Sequence, residues 1–267
     1  MTLRMMITGA ASGIGAATAK AAAAAGYRVA VADIDLDGAG VVAQACGPDA
    51  LAIGLDVTSD ASWRGALDRV WNAFGGLDLL VNNAGVVFPG FALAVASADH
   101  ERTLNVNFMG PLRGMLSALP RFANQGHGHF ITVASMTAFM PFPGLASYAA
   151  SKHALRAFHL GLAAEHRHGP VRFTLVHPGA VETPMLEREA DCDDAALAFA
   201  SDSIRPELVA QAVLAAPASQ ELELFVPAER GETVKRLTLD PATFIAGVDA
   251  SEIRGRDQLR ARRETSA

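Results

Sequence analysis

Cysteine is nearly absent. Cys46 and Cys192 are the two in 267 residues, far apart and in no metal or redox spacing. That excludes a disulfide-stapled fold and reads as reduced thiols in a cytoplasmic protein. Charged residues make up only 19% and the net charge is -6, so no basic stripe is available to neutralise phosphates and nucleic acid is not an expected partner. No apolar run spans a bilayer length without meeting Lys, Arg or Asp, and the first residues read as a strand rather than a leader. Neither a membrane partner nor a signal peptide is expected. Internal repeats, low-complexity linkers and a second domain are also lacking. His127 and His129 flank Gly128 in a loop before a strand, and His166 and His168 close a helix. They read as surface or capping residues and offer no convergent metal set.

What the chain has instead is apolar sequence, 51% of residues, enough for one domain over 1–267 with a substantial core. Apolar segments at 3–8, 27–32, 51–55, 77–81, 129–135, 171–176 and 222–226 read as seven strands. Helical segments alternate with them at 14–25, 59–74 and 97–119, the last interrupted near 105–110. Others are expected after residue 145 and from Pro206 to about 216. Such alternation predicts an α/β fold of Rossmann type: a doubly wound, mostly parallel seven-stranded sheet with helices on both faces and a ligand at the carboxyl ends of the strands.

The first strand runs into Thr8-Gly9-Ala10-Ala11-Ser12-Gly13-Ile14-Gly15 and then an alanine-rich helix. Strand, glycine turn and helix together make a phosphate site, because backbone N–H groups and the helix N-terminus face an anion. Gly9, Gly13 and Gly15 leave room for the turn, for a close pyrophosphate and for helix–sheet packing. The spacing is not the common G-x-G-x-x-G, and by itself a tight turn explains it equally well. Asp33 ends the second strand, where a carboxylate accepts from ribose hydroxyls and repels a 2′-phosphate. Neither Ile34 nor Asp35 after it is basic.

Ser135 closes the fifth strand, where active-site groups gather in α/β folds. Tyr148 and Lys152 stand four apart on the following helix and so share a face. A free tyrosine has a pKa near ~10, and an ammonium beside it favours the phenolate. Bringing it to neutrality takes about 4 kcal/mol of differential stabilisation, within reach of a partly dehydrated pocket. Such a pair taken alone is common on helix surfaces. Its company is not: the glycine loop, Asn82-Asn83-Ala84-Gly85, Asn107 and Pro178-Gly179 occur with Ser135, Tyr148 and Lys152 in one order. Together these resemble the short-chain dehydrogenase/reductase family, from about Leu3 to Ala216, in the family's own T-G-x-x-x-G-x-G form.

The resemblance implies an enzyme with NAD as cofactor that moves a hydride between nicotinamide and an alcohol or ketone. It assigns Asn107, Ser135, Tyr148 and Lys152 to catalysis, Asn107 through a water that links the lysine to solvent. Cofactor contacts are implied for Gly9, Ser12, Gly13, Ile14, Gly15, Asp33, Asp56, Val57, Asn83, Ala84, Gly85, Tyr148, Lys152, Pro178, Gly179, Val181 and Thr183. Asp56 meets the adenine amino group, and Val181 and Thr183 hold the carboxamide. Ser135, Tyr148, Phe88, Phe142 and Met185 would border the substrate. Residues 185–205 would form a lid, and 228–267 a variable, solvated helical tail or oligomer contact. The segments around Phe88 and Phe142 hold no Lys or Arg, so the expected substrate is an apolar secondary alcohol or ketone, and a homodimer or homotetramer is the expected assembly. Open alternatives are an NADP-dependent carbonyl reductase, disfavoured by Asp33, a non-catalytic NAD-binding regulator, and an assembly protein with no cofactor.

Overall fold

Seven short segments rich in β-branched and other apolar residues pair edge to edge in a computed structural model that describes residues 2–266. Met1 and Ala267, the ends of the expected domain and tail, lie outside the described residues. The strands are β1 (Arg4–Thr8), β2 (Arg28–Asp33), β3 (Leu51–Gly54), β4 (Leu79–Asn82), β5 (Gly128–Val133), β6 (Val171–Pro178) and β7 (Glu223–Val226). They lie in the order β3-β2-β1-β4-β5-β6-β7, every pair parallel, so the sheet is the doubly wound one expected. The chain works outward from β1 in one direction and from β4 in the other. A crevice therefore opens over the carboxyl ends of these two strands.

Alternation along the strands feeds two cores, as a sheet covered on both faces requires. Met6, Ala30, Leu80 and Phe130 point one way, onto α3 (Asp60–Phe74) and α5 (Gly110–Gln125). Met5, Val29, Val81 and Ile131 point the other way, onto α1 (Gly13–Ala24), α2 (Leu36–Cys46) and α8 (Pro206–Ala215). The expected break in the helix after residue 97 is a π-helical turn, Asn105–Met109, between α4 (Ser97–Leu104) and α5. Among the described residues no helix is long and apolar enough to cross a membrane.

His129 departs from its expected place in a loop. Strand β5 begins at Gly128, so the His129 ring is buried against the Thr174 hydroxyl, 2.9 Å away. His159, on α6 (Ala146–Glu165), is buried with both ring nitrogens unpartnered. Burial holds the two rings down at about 4 and about 3. The unfolded chain therefore takes up their protons first, and stability falls as pH drops from the ordinary histidine value near ~6.5 toward those values. Urea midpoints at pH 7 and pH 5 should show that loss, and His159→Leu should shrink it. Equal midpoints in the wild type would contradict it.

The last helices are largely exposed, and the final one is anchored at a few residues. After α7 (Pro184–Ala190), α9 (Gly231–Thr238) and α10 (Pro241–Ala246) comes α11 (Val248–Ser266), which lies on the 3-10 segment Asp193–Phe199. A Cβ at Gly255 would stand 2.0 Å from the Ala196 carbonyl oxygen, so only glycine lets the helix come this close. Leu259 is buried in the same cluster, and Arg262 donates to Glu182 and to Glu187. The tail is thereby tied to residues 182–199.

Candidate active site

Strands β1 and β4 are stitched together at the crevice. The Thr8 hydroxyl accepts from the backbone N–H groups of Asn83 and Ala84, both at 3.0 Å, while Asn83 Nδ2 donates to the carbonyls of Thr8 and Gly9. Gly9 has φ +63°, and a Cβ there would lie 2.7 Å from Ala84 Cα. A Cβ on Gly15 would lie 2.2 Å from the Gly9 carbonyl. The loop can sit flat on the strand ends only with glycine at both positions.

A cavity of about 580 Å³ runs from this loop across the strand ends. Asp33 stands at one end, its Oδ2 accepting from Ala11 N at 2.9 Å and its Oδ1 from Asp35 N at 3.0 Å. Each oxygen keeps a lone pair for a further donor. Ser12, Gly13, Ile14, Asp56, Val57, Asn83, Ala84, Gly85, Pro178, Gly179, Val181 and Thr183 line the path from there to Ser135, Tyr148 and Lys152. Phe142 and Met185 close the other end, with Val87, Met140, Leu145 and Leu186. Three expected site residues do not line it. Gly15 lies beneath the loop. The Asn107 side chain is spent on the backbone of Val86, 2.8 and 2.9 Å away, and on the Ser151 hydroxyl. Phe88 turns away under the Arg102 guanidinium, 5.7 Å from its ring centre.

Tyr148 and Lys152 do share a face of α6. Lys152 Nζ donates to the Val133 carbonyl at 3.1 Å and stands 5.5 Å from the Tyr148 ring centre. Burial lowers Lys152 to about 8, which leaves it charged at neutral pH. Burial also pushes the Tyr148 phenol above its ordinary value, helped by the carboxyl of Glu189 and opposed by a hydrogen bond with Ser135. The phenolate expected beside an ammonium and a positively charged cofactor is therefore not favoured by the protein side chains alone. A cation added beside the ring is what would bring it down.

Several groups at the site have no local signature in the sequence. His177, fully buried, lies 3.1 Å from the Ser135 carbonyl and 3.0 Å from Glu223, which also takes a two-point bond from Arg156 at 2.6 and 3.0 Å. That chain of hydrogen bonds anchors the backbone of Ser135 from behind. Arg230 enters the cavity wall from the tail and donates to Ser201 at 2.8 Å, so the lining is not free of cations as the two apolar segments suggested. Glu189 enters it from α7, raised to about 7 by burial.

Residues 4–193 match a family model described as short chain dehydrogenase. Over 247 residues the chain is 34% identical to the 2,5-dichloro-2,5-cyclohexadiene-1,4-diol dehydrogenase LinX of Sphingobium indicum, spanning 91% of this chain and 92% of that one. Among solved structures, a 3-ketoacyl-(acyl-carrier-protein) reductase from Brucella melitensis with NADH superposes with a TM-score of 0.78 at 31% identity, over 84% of this chain and 96% of that one. A short chain dehydrogenase/reductase from Burkholderia phymatum with NAD gives 0.81 at 26% identity, over 88% and 92%.

Proposed function

The chain belongs to the short-chain dehydrogenase family, oxidoreductases of alcohols and ketones, and we propose that this member uses NAD to interconvert an apolar secondary alcohol and its ketone. One observation carries the reading: a single cavity joins Asp33 and the glycine loop to Ser135, Tyr148 and Lys152, and ends among apolar side chains. The cradle fits a dinucleotide, since glycine at Gly9 and Gly15 lets the loop lie flat on the strand ends beside a cavity that continues past Asp33 and Ser135. The loop and the start of α1 would hold the pyrophosphate, Asp33 the adenosine ribose, and Val181 and Thr183 the carboxamide. When bound, the cofactor supplies the hydride acceptor or donor.

The protein supplies the proton. Tyr148 would take it from the alcohol hydroxyl in one direction and return it to the incipient alkoxide in the other. Ser135 would hydrogen-bond the same oxygen and stabilise charge growing there. Lys152 would lower the phenol and hold the nicotinamide ribose. Asn107 has both Nδ2 hydrogens committed to Val86 and Ser151, so it would hold the water of a proton path through an acceptor, either Oδ1 or its backbone carbonyl. The cyclic substrate in the name of the Sphingobium relative suits an apolar, ring-bearing alcohol.

The cofactor preference rests on Asp33, which has no neighbouring base. NADH should be favoured over NADPH in kcat/KM, and Asp33→Ala should lower kcat/KM for NADH by about 10- to 100-fold while narrowing the gap, the size expected for a charged hydrogen bond. Steady-state rates with both cofactors check this. Equal use of NADPH by the wild type would remove the role given to Asp33.

A further inference from the structure

The lid helix α7 has two faces. Glu187 and Arg188 are exposed, Arg188 at the cavity wall, and Leu186, Glu189 and Ala190 are buried with Met185 half-buried beside them. Glu189 therefore stands where the pattern calls for an apolar residue, one turn beyond Met185 on the cavity side. It is 8% exposed and its neighbours on that face belong to the apolar cluster of Leu145, Leu186 and Phe199. Among the described residues its carboxyl has no hydrogen-bond or ion-pair partner. Cations stand nearby without pairing with it: Arg188 lines the same cavity, Arg230 donates to Ser201, Arg262 holds Glu182 and Glu187, and Arg263 holds Asp193 and the carbonyl of Ala190. Its oxygens are not among the fully buried unpartnered polar atoms, so the carboxyl opens on the cavity, where a bound molecule would meet it.

The cavity wall offers that something. Glu189 lines the cavity near Tyr148, close enough that its charge acts on the phenol. An ionised Glu189 would oppose formation of the phenolate, so the arrangement works with the carboxyl neutral and hydrogen-bonded. A neutral carboxyl offers one O–H donor and a carbonyl acceptor, the complement of a hydroxyl or a ketone. An ammonium would instead demand the ionised form. A carboxylate would be repelled by it.

We infer that the substrate carries a second, neutral oxygen function on the apolar skeleton that bears the reacting carbinol, and that Glu189 is the specificity-determining residue that binds it. This rests on the proposed alcohol–ketone chemistry and goes beyond it by naming a substrate class: diols and hydroxyketones rather than simple alcohols.

The test compares cyclohexanol with the cyclohexanediol isomers in the wild type, Glu189→Gln and Glu189→Leu. The best diol should exceed cyclohexanol in kcat/KM by about 10- to 100-fold in the wild type, the range for leaving a buried polar group unmatched. Glu189→Gln should retain most of that ratio, and Glu189→Leu should bring it near one. Thermal unfolding gives a readout free of turnover. Glu189→Leu should raise Tm, because it removes an unpartnered buried carboxyl, and a diol should raise Tm of the NADH-loaded wild type but not of the leucine variant. A ratio indifferent to residue 189, a Tm that falls in Glu189→Leu, or preference for a 4-amino or 4-carboxy cyclohexanol over the diols would each overturn the inference. Loss of all alcohol oxidation with either dinucleotide would instead count against the underlying reaction, and the thermal shifts would still decide the role of Glu189.

Discussion

Tyr148→Phe is expected to cut kcat by about 10²–10⁴-fold, the contribution of a positioned proton donor, or about 3–5 kcal/mol of barrier. The ring keeps its place on α6 over Lys152, and only the phenolic oxygen is lost. NADH affinity should therefore stay within about twofold of wild type, since stacking and packing around the ring are retained. Lys152→Ala would behave differently, because Nζ also anchors the Val133 carbonyl behind the site. Stopped-flow or steady-state rates, paired with an NADH fluorescence titration of each variant, separate the two. A Tyr148→Phe protein that kept most of its turnover would mean that the proton travels another way.

Gly15→Val should nearly abolish cofactor binding by a route that touches no chemistry. Its Cβ would stand 2.2 Å from the Gly9 carbonyl and 2.6 Å from Asn83 Nδ2, within the stitching that joins β1 to β4. Neither neighbour is the free end of a flexible chain, so the loop must lift. Overpacking of this kind costs about 1–3 kcal/mol, and Tm for a chain of this size falls by about 2–4 °C for each. NADH affinity should fall much further, since the lifted backbone is the part that would meet the pyrophosphate. Gly161→Ala makes the control: nothing lies within 4 Å of its added Cβ, in the middle of α6. Calorimetry and NADH titration on both variants check the contrast, and a Gly15→Val protein that bound NADH normally would contradict it.

The parts of this structure legible in the sequence are those written in local pattern. Buried parallel strands read as apolar runs, and each leads into a residue that lines the cavity: Gly9 after β1, Asp33 at the end of β2, Asn83 after β4 and Ser135 beyond β5. The π turn around Asn107 could be read from polar residues and a glycine interrupting an apolar helix. Helix α2 could not, because Gly38 and Gly40 dilute its periodicity, although Asp35 caps it by accepting from Gly38 N.

The rest depends on contacts that no spacing records. Between residues 86 and 91 the backbone is irregular, so neither helical nor strand periodicity tells which side chains face the cavity. Val86 and Val87 line it and Phe88 does not. In α11 the charged residues suggest a helix surrounded by water. Gly255 and Leu259, four apart, form the narrow face that docks on the segment Asp193–Phe199, too small a stripe to stand out. Glu189 was illegible for the opposite reason: a carboxyl in a seven-residue helix looks like any exposed acid until the cavity is seen in front of it.

The central claim is direct transfer of a hydride from a secondary alcohol, with Tyr148 handling the proton. A secondary alcohol bearing deuterium on its carbinol carbon, drawn from a panel of alicyclic, aromatic and steroid-like compounds, should be incubated with the protein and NAD⁺. Mass spectrometry of the recovered dinucleotide should find the deuterium there, with none released to water and transfer by Tyr148→Phe slowed in proportion to its kcat. Deuterium that appears in water, or a protein that binds NADH yet transfers label from no member of the panel, would contradict the account.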